Sequence, residues 1–289
     1  MGIDIGRAFR EGASRTAGKN GLLLAAAFTG IALLTTVLFQ SLLVAGFEAA
    51  LSAFQTASPA DLGLEQAEYD ETVAEFETAL EEVRATAPLA LGVSAGVAAG
   101  ALLLTALVAE AVSIVAVRVF AADDSEAVDS AVVTDNILLA TLNGFVGGIV
   151  VWGLIVLGSL FFLLPGIILA VLFYFLRQEI ALNDRNFVQA MADSWRATKG
   201  NRIEVFLVGA ALVIISRLEE VSATVLGIFS TTAGTAIAAV VGGLLAAFGA
   251  AVATRAYVQI DTNQPAAEPD VEEEKDPYDA ALGPDDLSR

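Results

Sequence analysis

Residues 137–176 read ILLATLNGFVGGIVVWGLIVLGSLFFLLPGIILAVLFYFL, and the number of times this run crosses a bilayer decides the fold. It holds 40 residues without a charge, where one span needs about 20. Leu164-Pro165-Gly166 interrupts it. Pro lacks a backbone donor and clashes with the preceding turn, so together with Gly it punctuates a helix. The reading is two spans, 138–160 and 164–181, turning at the outer surface. Gly144, Gly148 and Trp152 share one helical face in the first of them and read as packing residues.

Working outward, Gly21 to Phe47 and Leu89 to Ala109 are further runs without a charge. A fifth, short span begins near Ile203, and a last one, rich in small residues, covers Ala233 to Ala253. The fold class is all-α: a polytopic transmembrane helical bundle of about six spans, occupying residues 21–260. The Lys and Arg residues support this count. With six spans and an internal N-terminus, 13 of the 15 fall on the cytoplasmic side, all but Arg84 and Arg217. If residues 137–176 made one span, the split would be 6 inside and 9 outside, against the positive-inside rule. Both termini are accordingly placed in the cytoplasm, and the protein in the cell membrane.

Composition agrees and sets exclusions. The chain is 56 % hydrophobic and 17 % charged, where soluble domains are about 45–50 % apolar and about 25 % charged. It has neither Cys nor His, which excludes disulfides, thiolate metal sites, Ser–His triads and His-ligated zinc or haem. A net charge of −19 points away from nucleic acid, which asks for a basic face. No cofactor is implied. Nine acids lie between Asp61 and Glu82 and ten between Asp261 and Asp286, while Arg outnumbers Lys 12 to 3. An acidic, Lys-poor aqueous surface is the pattern of proteins from salt-saturated, halophilic cytoplasms.

Two polar segments read as amphipathic helices. In the external acidic loop 51–87, Tyr69, Val73, Phe76, Leu80 and Val83 form a narrow apolar seam. It suits packing on the protein's own outer surface or, over 65–83, docking of a protein partner. The segment 184–201, with Phe187, Ala190, Met191, Ser194 and Trp195, reads as a helix at the cytoplasmic face and a second surface for partners. Residues 1–20 form a basic amphipathic N-terminal segment, and the acidic tail 261–289 reads as disordered. Ala8 to Asn20 echoes Ala190 to Asn201, which suggests duplication of a helix-plus-hairpin unit.

Pro88 is expected to open the second span, and Gly92, Gly96 and Gly100 to form a ridge for a tight helix contact, within the protein in preference to between copies. Glu110 is read as interfacial, because the apolar run before it already crosses the bilayer. Arg217 reads as snorkelling to the outer interface.

Leu164-Pro165-Gly166-Ile167, Arg177, Glu179, the run Ala190-Met191-Ala192-Asp193-Ser194-Trp195 and Lys199-Gly200-Asn201-Arg202 carry a resemblance. They resemble the membrane-domain family of glycerophosphodiester phosphodiesterases and related six-span proteins. The resemblance implies a membrane domain without intrinsic catalysis, and marks Pro165, Gly166, Arg177, Glu179, Ser194, Lys199, Gly200 and Asn201 as motif positions. Their expected role is structural, fixing the turn and the interfacial helix. The expected function is a non-catalytic scaffold or a membrane domain associated with lipid or partners, with a small-solute transporter or channel as the alternative.

Overall fold

The computed structural model describes residues 2–227 and 230–261, so all but the first residue of the acidic tail lies outside it. Every regular element among the described residues is helical. Five segments are long and apolar enough to cross a membrane. They are α2 (Lys19–Thr56), α5 (Ala95–Ala121), α7 (Ile137–Phe161), the joined pair α8 (Leu163–Leu172) and α9 (Leu176–Asn183), and α12 (Thr231–Asp261). α11 (Arg202–Gly227) has 26 residues, about 39 Å of helix, but Arg217, Glu219 and Glu220 interrupt its apolar character. It packs along α12 and touches α8. The chain is a multi-pass helical membrane protein with about six spans.

The break at Leu164-Pro165-Gly166 is made two residues earlier than the motif itself. Phe162 is extended, and Pro165 sits in the first turn of α8, where a missing N–H costs little. Gly158 and Gly166 then let α7 and α8 close on each other. A Cβ on Gly158 would lie 3.1 Å from the Gly166 nitrogen, and one on Gly166 would overlap Ser159.

The three hairpins α2/α5, α7/α8–α9 and α11/α12 are each preceded by a helix at one common end of the bundle. These are α1 (Ile5–Ala17), the short α6 (Ser130–Thr134) and α10 (Phe187–Thr198). Each has an N-cap side chain that accepts a backbone hydrogen bond: Asp4, Asp129 and Asn186. Each packs on the last span of the hairpin before it, α6 on α5 and α10 on α9, and α1 closes the ring on α12. The echo is exact in register between α1 and α10. Asp4, Ala8, Gly12 and Thr16 stand 182 positions before Asn186, Ala190, Ser194 and Thr198, and the last three of each set are buried.

The acidic loop forms α3 (Pro59–Leu62) and α4 (Gln66–Thr86). α2 runs well past Phe47, and α4 folds back on this extension. Phe54 stacks on Tyr69 at 5.3 Å and meets Phe76 at 5.7 Å, Leu80 is buried, and Arg84 pairs with Glu48 at 2.7 Å. The seam thus packs on the chain's own surface.

Three details differ from the sequence expectations. The second span starts at Ala95 with Ser94 as its cap, because the Leu89 and Leu91 nitrogens are held by Gln40 and Ser41 of α2 at 2.8 Å. Pro88 and Gly92 therefore lie before the helix. A Cβ on Gly92, Gly96 or Gly100 would meet nothing within 4 Å, so that ridge makes no contact within the chain. The tight approach is instead at Gly243 of α12, where a Cβ would lie 2.5 Å from the Thr29 nitrogen of α2.

Candidate functional site

Glu110 lies near the middle of α5 and is 8 % exposed. It lies 15 residues into the candidate span Ala95–Ala121 and not at its edge, where the sequence places it. The apolar run before it is long enough to cross, yet the span starts six residues later than Leu89, which moves Glu110 inward. Arg177, at the start of α9, meets it side-on, with Nε donating to Oε1 and Nη2 to Oε2, each at 2.8 Å. Such a parallel pair is the geometry in which a guanidinium binds a carboxylate best. Charges at this depth are expensive unless paired, and by default they mark a functional site.

Glycine makes the pair possible. A Cβ on Gly144 of α7 would overlap Glu110 Oε1, so only Gly lets α7 lie against the carboxylate. Beyond the pair, Gly148, Trp152 and Gly153 of α7 and Ala106 of α5 line a cleft of about 600 Å³ that is open at the side. A Cβ on Gly148 or Gly153 would meet nothing within 4 Å. The side chain of Arg177 is 46 % exposed, against 10 % for Glu110. The guanidinium is thus the part of the pair that reaches the opening.

The other motif residues lie at helix breaks and turns away from this pair. The helix breaks between α8 and α9, and Ser194 repairs the break: its Oγ donates to the Leu172 carbonyl at 2.9 Å and accepts from the Phe175 nitrogen at 3.1 Å. Glu179 accepts from Asn183, which also donates to the Tyr257 hydroxyl at 2.9 Å. With Arg185, Asp193 and Arg196 these residues line a smaller polar pocket of about 290 Å³ at the α1 end of the bundle. Gly200 has a φ of +91°, a left-handed turn that favours Gly and swings the chain from α10 into α11. Lys199 caps α10, and the Asn201 carbonyl starts α11 by accepting from Val205 at 2.9 Å. Arg177 and Glu179, two residues apart, serve different sites.

Two more arginines tie the helix ends together. Arg118, 7 % exposed, donates to the carbonyls of Ala181, Val133 and Asp135. Arg15 of α1 donates to the carbonyls of Phe120, Ala122 and Asp123. Burial pulls the Arg15 guanidinium below its ordinary value, with Arg255 adding repulsion. Glu11 joins α1 to α12 through Arg255 Nε at 2.6 Å. Burial alone would raise the Glu11 carboxyl, but hydrogen bonds from Arg7 and Arg255 outweigh it and hold it below the usual carboxylate range.

The sequence reading missed the pairing of Glu110 with Arg177. The available signal was charge complementarity: one acid and one base, each at the edge of an apolar run. Among the described residues, no group of three acidic side chains is placed to hold a metal ion. No curated protein and no solved structure matches the chain. A family profile does match, over residues 3–260. The chain belongs to the family described as Domain of unknown function (DUF7847).

Proposed function

We propose that this protein is a non-catalytic membrane domain that associates with lipid, resident in the cell membrane with both termini in the cytoplasm. The observation that carries the reading is the direction in which the Glu110–Arg177 site opens. Its cleft lies between α5 and α7, and Ile149 and Trp152 of its lining are exposed mid-way along α7, so it opens at the side of the bundle. A second groove, of about 740 Å³ between α8, α11 and α12, is likewise lined mainly by apolar residues from Ile167 to Gly249. A bundle that offers charge and apolar grooves to the hydrocarbon suits lipid as its ligand. The lack of His and Cys removes the commonest general base and nucleophile, in keeping with a non-catalytic role. The α10 helix, with Val188 and Trp195 exposed, serves as an interfacial anchor and a surface for internal partners. The acidic surface fits a high-salt cytoplasm, where screening weakens self-repulsion. The likeness to the membrane domains of glycerophosphodiester phosphodiesterases is retained as a proposal on the motif residues.

A small-solute transporter is the second reading, favoured by the same ion pair, because charged groups within spans mark solute and ion pathways. Purified protein in detergent and in proteoliposomes separates the two. The lipid reading expects phospholipid retained through detergent exchange and no solute flux. Flux that disappears in Glu110→Gln and Arg177→Gln would replace it with the transporter reading.

A further inference from the structure

Arg177 has five N–H donors, and Glu110 takes only those on the Nε/Nη2 edge. The opposite edge, Nη1 with the second hydrogen of Nη2, is itself a fork for two oxygens. Among the described residues, no partner accepts from Nη1. The guanidinium lies beside Gly144, seven residues into α7, about 10 Å from the start of that span at the α1 end. Donors at such a depth need an acceptor, because hydrocarbon offers none. From this edge the cleft runs along Gly148, Trp152 and Gly153 toward the opposite end of α7. A charged head at the α1 end with an apolar trough leading inward has the polarity of one lipid in the nearer leaflet.

We infer that the Arg177 edge and the trough above it form a binding site for an anionic phospholipid of that leaflet, with phosphate on the Nη1/Nη2 edge and an acyl chain over Gly148 and Trp152. The inference rests on the lipid-associated reading above and assigns its ligand and place. The lateral opening admits a lipid from the bilayer, whereas a free phosphate ion would have to cross hydrocarbon to arrive. Glu110 shares the guanidinium, so the site holds its lipid reversibly, and removing the acid strengthens the hold.

The chain has two tryptophans, so Trp195→Phe leaves Trp152 as the only one, placed in the trough. Its fluorescence is read in bilayers holding phosphatidylglycerol or phosphatidylcholine with brominated acyl chains, which quench on contact. The expected result is a preference for phosphatidylglycerol on the order of threefold to tenfold. Glu110→Gln raises it, Arg177→Lys lowers it, and Gly148→Ile, which fills the trough without touching the pair, abolishes it. Equal quenching by both lipids, or a preference unmoved by Gly148→Ile in a folded protein, overturns the site. If phospholipid is still retained through detergent exchange in that case, lipid association stands and only this site fails. If none is retained, the broader reading fails with it.

Discussion

Glu110 and Arg177, 67 residues apart in sequence, meet through two parallel hydrogen bonds of 2.8 Å between the second and fourth spans. The pair fixes α5 against α9 with the carboxylate buried, and α7 closes over it only because residue 144 lacks a side chain. Position, partner and cover are supplied by three different spans.

Gly144→Val tests the cover. The added carbons would overlap the Glu110 carboxylate, and overpacking of this kind costs about 1–3 kcal/mol. Thermal unfolding in detergent should show the loss. Gly148→Ala, four residues on and facing open space, should stay within about 0.5 kcal/mol of the parent. Equal effects at the two positions would mean that α7 does not contact the carboxylate.

Arg118→Leu should be the most damaging substitution at the α1 end of the bundle. It removes the donor to three carbonyls, those of Ala181, Val133 and Asp135, and each buried polar group left unpaired costs about 1–3 kcal/mol. Arg185→Leu changes a half-exposed cation paired with Asp193 and should cost less than about 1 kcal/mol. A reversed order would contradict the carbonyl-tying role.

Docking of α1 should depend on pH through Glu11. Its folded carboxyl lies below the usual range, so its stabilisation is complete above the unfolded value of about 4.3 and is lost as pH falls through the lower folded value. The protection of the α1 amides against hydrogen exchange, taken relative to the intrinsic rate at each pH, should therefore fall on acidification through that window. Glu11→Gln should remove the dependence. Protection that is flat with pH in the parent would rule Glu11 out as the tie.

Topology is open to labelling, because the chain has no native Cys. Single cysteines at Ser58, Ala127, Val188 and Val221, all exposed except through any membrane, meet an impermeant maleimide in intact cells. Labelling at 58 and 221 alone supports six spans with internal termini. Labelling at 188 would undo the hairpin at Pro165.

Much of the architecture was legible because it follows from hydropathy and punctuation. The uncharged run and Leu164-Pro165-Gly166 marked the α7/α8 hairpin to within a residue or two, and the seam of Tyr69, Phe76 and Leu80 marked α4 and its packing. The second span was misplaced because Pro88 is also a legitimate helix opener, and nothing local shows that Gln40 and Ser41 of a distant helix hold the segment extended. The glycines at 92, 96 and 100 have the spacing of a packing ridge, but spacing does not say which way a helix faces. The candidate site stayed hidden for a similar reason. Glu110 looked interfacial by counting along one helix, and Arg177 looked like a motif residue at a span end. Only the packing of α5 on α9 puts the two within hydrogen-bond distance. The third interfacial helix, α6, is five residues long, too short for periodicity to reveal it, so the sequence echo showed two units where the fold has three.

The most direct test is a double-mutant cycle of Glu110→Gln and Arg177→Gln, read by SDS-driven unfolding of the lipid-reconstituted protein. Removing one member of a paired charge leaves the other stranded, so each single change should destabilise, and the double change should cost less than the sum by about 0.5–3 kcal/mol. Strictly additive effects would show that the two side chains do not meet within the membrane, and would contradict the account.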